Sequence, residues 1–281
     1  MQTLSRNTGE SVEASESIVI SRQDSARQKP GASESSLKSN ILLCVGCLLA
    51  PVLWICLKQF GIVSDRYLPA PLAVLGSFRE VEPSIFVHFA YTAFRLVAGF
   101  VAGAVSGIAL GIIVNKWDTA NRLLSPTLQS MRSIPAIATV PFFLLWFGFS
   151  EPGKIILVVT GIAFNVAIAT HQVLREMPEK DRILFASFGI DPTSFIIQYT
   201  LPRVIESLLP TMRFSLSTAV GVVIVSELLG AQVGLGYLIQ TSRSTFSIHV
   251  IFLCMLLLGL LNSILDLSLT KGWSKLVYWK R

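Results

Sequence analysis

The sequence predicts an all-α protein, a polytopic membrane bundle of about six transmembrane helices. Three observations predict it. Of 281 residues, 52% are hydrophobic and only 14% charged, against about 25% charged in soluble domains; mean hydropathy is +0.63. The apolar residues fall in blocks of roughly 17 to 30, the length a helix needs to cross a bilayer. Polar segments carrying Pro, Gly, Lys and Arg separate the blocks. This composition excludes a disordered chain and argues against an ordinary cytosolic enzyme.

Residues 1–40 are rich in Ser, Glu, Gln and Arg and hold five basic and five acidic side chains. They read as a disordered cytoplasmic tail. A cleavable signal is not expected, because the first apolar run begins only near Ile41. That run extends to about Leu57 and stops at Lys58. Gly61 to Pro83 is half-polar, and Tyr67-Leu68-Pro69-Ala70-Pro71 reads as an extended loop.

The second run covers about Ile85 to Val114. Gly99, Gly103, Gly107 and Gly111 repeat every four residues, which puts them on one helical stripe where a neighbouring helix can approach closely. The third run, about Leu123 to Phe149, is broken by Pro126, Pro135 and Pro141. Such a kinked segment is tolerated where neighbours satisfy the freed carbonyls, and it often lines a cavity. Arg132 precedes Ile134-Pro135, as a pathway charge or a side chain reaching the interface.

The fourth run covers about Lys154 to Thr170, after Ser150-Glu151-Pro152-Gly153. His171 to Arg203 is the longest polar stretch of the body. The fifth run, Leu208 to Leu229, carries Arg213 near its inner start and Glu227 near its outer end. Glu227 either lines a pathway or pairs with a buried donor and holds the bundle. The sixth run, Ser247 to Leu269, leads into a basic, aromatic end at residues 271–281, which suits a membrane surface. The transmembrane domain is thus residues 41–270.

Six spans place both termini on one side of the membrane. The segments on that side hold fifteen Lys and Arg, the opposite segments five. The positive-inside rule makes the termini cytoplasmic. No basic run is interleaved with aromatics, so nucleic acid is not an expected partner. Cys44, Cys47, Cys56 and Cys254 lie in apolar runs and read as small buried hydrophobes. His88, His171 and His249 are far apart at span ends, and no metal-ligand spacing links them.

The polar stretch has readable local chemistry. Pro178, Glu179 and Asp181 suit a first helical turn, and Gly189 suits a left-handed C-cap. Asp191-Pro192 suits an N-cap followed by proline at the first helical position. A second short helix is expected through Phe195 to Leu201-Pro202. Two short helices with a glycine between them and apolar residues outside read as a docking element; an amphipathic segment lying on lipid is the alternative.

The spacing from Gly189 to Leu201-Pro202 resembles the signature loop of permease subunits of bacterial ABC importers. That pattern is Glu-Ala-Ala, three residues, Gly, nine residues, Ile, one residue and Leu-Pro. Here Ile183, Leu184 and Phe185 occupy the acidic head and Tyr199 the isoleucine position, so the head departs from the pattern. Leu68-Pro69-Ala70-Pro71, Arg95-Leu96-Val97-Ala98-Gly99-Phe100, Arg132-Ser133-Ile134-Pro135-Ala136, Leu145-Trp146-Phe147-Gly148, and Ser226-Glu227 with Gly234-Leu235-Gly236-Tyr237-Leu238-Ile239 are similar to the nitrate, taurine and aliphatic sulfonate subfamily. They stand in the family's order.

The resemblance implies the pore subunit of a homodimer in a bacterial inner membrane. Two cytoplasmic ATPase subunits and an extracytoplasmic solute-binding protein would be its partners. It implies a coupling loop at about 174–203, with Ile183, Leu184, Phe185, Phe188, Gly189, Phe195, Tyr199, Leu201 and Pro202 facing the ATPase. The chain has no Gly-x-x-x-x-Gly-Lys-Ser/Thr loop, so ATP and magnesium are expected on the partner and no cofactor on this chain. There is no Gly-x-Ser-x-Gly or His-Glu-x-x-His motif for hydrolysis. An ion-coupled secondary transporter using Arg132 and Glu227 is the alternative.

Overall fold

The computed structural model describes residues 48–49, 51–81 and 83–277. The predicted tail, the start of the first apolar run and residues 278–281 lie outside the described residues. The chain divides into two compact units, Met1–Ser64 and Asp65–Arg281.

In the first unit, residues 51–59 form helix α1. It closes where the sequence turns polar. Ile62 N–H donates to Leu57 O (3.2 Å) and Gly61 N–H to Lys58 O (3.1 Å), a paired C-cap that puts Gly61 at φ +64°.

The second unit opens with α2 (Pro71–Val81). The Pro69-Ala70-Pro71 stretch, expected to stay extended, instead ends in a helix. Proline is favourable at a first helical position, where no N–H is required, and Pro71 occupies that position here. Helix α3 (Ser84–Lys116) is 33 residues long, so about 50 Å, longer than a bilayer core. Helix α4 (Asp118–Arg132), a 3₁₀ turn (Ala136–Thr139) and α5 (Val140–Phe147) follow. The axes before and after Pro135 differ by 87°, because the residues ahead of a proline are driven out of helical geometry.

Helix α6 (Glu151–Arg175) starts at the Ser150 N-cap, whose hydroxyl accepts Gly153 N–H (3.3 Å). After the loop come α9 (Leu201–Gly230), α10 (Leu235–Ser244) and α11 (Ile248–Leu276); the short loop helices α7 and α8 are described below. Among the described residues, four helical stretches are long and apolar enough to cross a membrane: Ser84–Lys116, Glu151–Arg175, Thr193–Gly230 and Ile248–Leu276. The bent α4–α5 pair makes a fifth if it is one broken span. The sixth expected span is the first apolar run, which is only partly described.

The core explains this order. Leu96 of α3, Leu157, Val158 and Ile162 of α6, and Leu208, Met212 and Leu216 of α9 are buried together. The outward faces stay apolar, with Phe94, Val97, Val101 and Val105 exposed along α3. A helix with an apolar exterior and its backbone bonds satisfied internally suits a lipid solvent.

The glycine stripe is the contact between α3 and α6. A methyl group on Gly99 would lie 2.6 Å from Val158 Cβ, and one on Gly103 2.8 Å from Ile162 Cβ. One on Gly107 would lie 2.7 Å from Val166 Cβ, and one on Gly111 2.6 Å from Thr170 Cβ. Glycines at four-residue spacing meet side chains at four-residue spacing, so two rows of one turn each run into register.

Candidate functional site

Three features stand out in the second unit: a buried ionic network at one end, a cavity beside the broken segment, and the loop at the other end.

The network is built on α3, α6, α9 and the turn before α10. Arg95 is 1% exposed and Glu227 1% exposed. Arg95 Nη1 donates to Glu227 Oε1 (2.6 Å) and to Val233 O (2.7 Å). Arg95 Nε and Nη2 donate to the Glu151 carboxylate (2.5 and 2.6 Å), and Lys154 Nζ donates to Glu151 Oε1 (3.0 Å). Two cations face two carboxylates, so the cluster carries no net charge. The Thr92 hydroxyl donates to Glu227 Oε1 (2.9 Å) and accepts Leu235 N–H (2.8 Å). Gly236 N–H donates to Glu227 Oε2 (2.8 Å), and Gly234 N–H to His88 Nδ1 (3.0 Å), which therefore carries no proton. Gly234 sits at φ +139°, and a Cβ there would fall on the Glu227 carboxylate. Buried charges are tolerable only when paired and hydrogen-bonded, and this cluster meets both conditions.

Glu227 is paired with a buried donor, Arg95. Arg213 lies elsewhere, in a bidentate pair with Asp266 of α11 (2.7 Å for each contact). The Arg132 side chain lies outside the described residues. Lys154, at the start of the fourth run, is buried within the first turn of α6. No local signal in the sequence joins Arg95, Glu151, Thr92 and Lys154; Arg95 is legible only as a charge inside an apolar run and as part of the Arg95-Leu96-Val97-Ala98-Gly99-Phe100 stretch.

The cavity, about 520 Å³, opens where the chain bends at Pro135. Pro135, Phe142 and Phe143 form one wall, Thr160, Gly161 and Asn165 of α6 a second, and Phe214 and Thr218 of α9 a third. Its hydroxyls are occupied locally: Thr139 Oγ1 donates to Ala136 O (2.7 Å), Thr160 Oγ1 to Ile156 O (2.8 Å) and Thr218 Oγ1 to Phe214 O (3.0 Å).

The loop contains α7 (Glu179–Ser187), α8 (Pro192–Phe195) and a π turn (Ile196–Thr200). Gly189 caps α7: its N–H donates to Ala186 O (3.0 Å), Ile190 N–H donates to Phe185 O (3.2 Å), and φ is +72°. Asp191 Oδ2 accepts Thr193 N–H (3.0 Å) and Ser194 N–H (3.1 Å), capping α8. Ser194 and these N–H groups hold the Asp191 carboxyl below the usual carboxylate range. The second helix does not stop at Leu201-Pro202, as expected. It runs on through the π turn into α9, because a wider turn lets the chain pass Pro202, which has no N–H to give.

The loop's aromatic residues divide into two groups. Phe185, Phe195 and Tyr199 pack together with centroids 4.9 to 5.2 Å apart, Phe195 stacked on Tyr199 and Phe185 edge-on to Phe195. The Tyr199 hydroxyl donates to Asp181 and accepts from Arg203 Nη1 (3.0 Å). These three rings join α7 to α8 and the π turn, with Tyr199 reaching Arg203 of α9, and leave Phe185 and Phe195 half-buried. Phe188 is 75% exposed, and Ile183, Leu184 and Ile197 are exposed beside it.

Comparison with known proteins bears on these features. A family model described as "Binding-protein-dependent transport system inner membrane component" matches residues 99–271. The aliphatic sulfonates transport permease protein SsuC of Bacillus subtilis is 28% identical over 270 residues, covering 95% of this chain and 97% of its own. Its Escherichia coli namesake is 30% identical over 217 residues, covering 76% and 82%. The taurine transport system permease protein TauC of Escherichia coli is 22% identical, covering 86% and 91%. Among solved structures, inward-facing MetNI methionine ABC transporter superposes with TM-score 0.59 at 20% identity, over 69% of this chain and 98% of that one. That likeness speaks for the fold.

Proposed function

Because the chain belongs to the family of binding-protein-dependent transport system inner membrane components, we propose that it forms the translocation path of an ATP-driven importer for small organic sulfonates. The relatives named for aliphatic sulfonates and taurine support that cargo class. A separate ATPase, using ATP and magnesium, engages the 174–203 loop; a solute-binding protein delivers cargo at the opposite end, where the Arg95–Glu227 network lies. A second copy of the chain completes the path. Both termini are cytoplasmic, on the strength of fifteen cations against five.

One observation carries the coupling role. The loop displays Phe188, Ile183, Leu184 and Ile197, while Phe185, Phe195 and Tyr199 pack α7 against α8 and the π turn that leads into α9. A docked apolar surface that is rigidly joined to a long helix transmits motion to that helix.

The test uses the full complex in proteoliposomes. Uptake of radiolabelled ethanesulfonate should require ATP and the binding protein and should stop with vanadate. Phe188→Asp places a charge in the docking surface, and Gly189→Val forces a branched residue into left-handed backbone. Both should abolish uptake while the protein still inserts, and both should release the ATPase or uncouple it. Full ATPase binding and uptake in both variants would refute the coupling role. Uptake that ignores vanadate and collapses with an uncoupler would make the protein an ion-coupled carrier.

A further inference from the structure

The cavity at Pro135 presents an anion with a difficulty. Among its described lining residues there is no basic side chain, and the hydroxyl protons of Thr139, Thr160 and Thr218 are given to carbonyls of their own helices. A sulfonate passing through would meet hydroxyl oxygens, rings and the neutral Asn165 amide, which donates to Gly161 O (3.3 Å), but no cation among the described lining residues. A cation lies next along α9. Phe214 lines this cavity and also a second hollow of about 500 Å³, whose wall includes Arg213, Ser217, Asn262 and Asp266.

The Arg213 side chain is 52% exposed and Asp266 26% exposed. Arg213 gives Nε and Nη2 one contact each to Asp266. A guanidinium has five N–H donors, so three remain for a ligand. The carboxylate fixes the plane of the guanidinium and leaves Nη1 directed away from it. Asp266 also cancels the full charge, so an oxyanion would be held by hydrogen bonds in a nearly neutral site. Weak holding suits a path, because cargo must be able to leave as well as enter.

We propose that Arg213, oriented by Asp266, is a transfer station for oxyanions on the translocation path, one step from the Pro135 cavity and nearer the loop end of α9. The inference rests on the anionic-cargo reading above and names the side chain that would meet the sulfonate group. A phospholipid headgroup offers the same oxyanion chemistry, and the first measurement separates the two. If the hollow is water-filled path, Ser217, one turn along from Arg213, is reachable by soluble reagents; if lipid covers it, it is not.

In the assembled complex, Cys44, Cys47, Cys56 and Cys254 are replaced by alanine and Ser217→Cys is introduced. Two methanethiosulfonates of similar size are compared, one bearing a sulfonate and one a trimethylammonium group. The sulfonate reagent should react several-fold faster, and Arg213→Gln should remove the preference. No labelling by either reagent, faster labelling by the cation, or a preference that survives Arg213→Gln overturns the proposal. These readouts do not depend on which cargo is carried.

The second measurement is ethanesulfonate uptake. Arg213→Gln should raise the half-saturating concentration or lower the rate roughly tenfold, the scale of one hydrogen bond to a charged group. Arg213→Lys should keep part of the function. The exchange Arg213→Asp with Asp266→Arg restores a mere clasp between α9 and α11 but moves the cation to the wrong helix. Uptake should therefore stay low in the exchange while ATPase binding is retained. Full uptake in the exchange would reduce the pair to a clasp and overturn the proposal. A wild-type complex that carries no ethanesulfonate would instead refute the cargo reading, and the labelling result would still decide Arg213.

Discussion

Glu227 shows how a buried carboxylate is made tolerable at the scale of one residue. Its oxygens receive Arg95 Nη1, the Thr92 hydroxyl and Gly236 N–H, so every side of the group is met by a donor. Removing one partner leaves the buried Arg95–Glu227 pair broken, which costs about 3–5 kcal/mol. Arg95→Gln and Glu227→Gln should each lower the thermal unfolding temperature of the purified protein sharply. Glu80→Gln removes only the exposed pair with His249 and should change it little. Gly234→Ala should resemble Glu227→Gln, because a Cβ at φ +139° falls on the carboxylate. Similar unfolding temperatures for Glu80→Gln and Glu227→Gln would remove the argument that the network holds this end of the bundle.

At the scale of the element, the closest packing in the second unit joins α3 and α6. Without a hydrophobic driving force between helices in lipid, close approach and dispersion contacts do the joining, and glycine permits the approach. Gly103→Leu or Gly107→Leu must displace Ile162 or Val166 and the carbonyls behind them. Overpacking of that kind costs about 1–3 kcal/mol. Val101 points outward and is 55% exposed, so Val101→Leu should be tolerated. Unfolding temperature and yield of folded protein check this, and equal damage at all three positions would refute the stripe. In the loop, nothing lies within 4 Å of a Cβ on Gly189. Gly189→Ala is therefore a purely conformational change, costing about 1–2 kcal/mol locally. Loss of coupling in that variant with normal unfolding temperature would mark the cap, and not packing, as the feature that positions Phe188.

At the scale of the whole molecule, the asymmetry between the two ends carries the functional reading. One end is tied by the network of buried Arg95, Lys154 and Glu227 with half-exposed Glu151; the other ends in a loop with exposed apolar side chains. A periplasm-active reporter enzyme fused after Arg281 should stay inactive if the termini are cytoplasmic, and activity there would overturn that orientation. Deleting residues 2–36 should leave insertion and uptake nearly intact, since that segment has no long apolar run and four basic against five acidic side chains, too little to anchor it. Lost uptake with normal insertion would assign the tail a role in regulation or docking.

The helical class, the long apolar runs, the glycine stripe, the Gly189 cap and the Asp191 N-cap are all legible in the sequence, because each depends on residues within a few positions of one another. Hydrophobic periodicity, proline placement and left-handed glycine are local properties, and so is the Gly189 to Leu201-Pro202 spacing. What joins distant segments was decided only by the tertiary structure. Arg95 and Glu227 are 132 residues apart, and no local rule pairs them. The helix at Pro71 and the passage of the second loop helix into α9 also depended on context, since proline serves a helix start as readily as a helix stop. Arg213, legible only as a charge near the inner start of a span, became an oriented guanidinium only when α11 set Asp266 beside it. Local chemistry determines which segments are helices; the burial of charge, which requires a partner from elsewhere in the chain, determines how they are tied together.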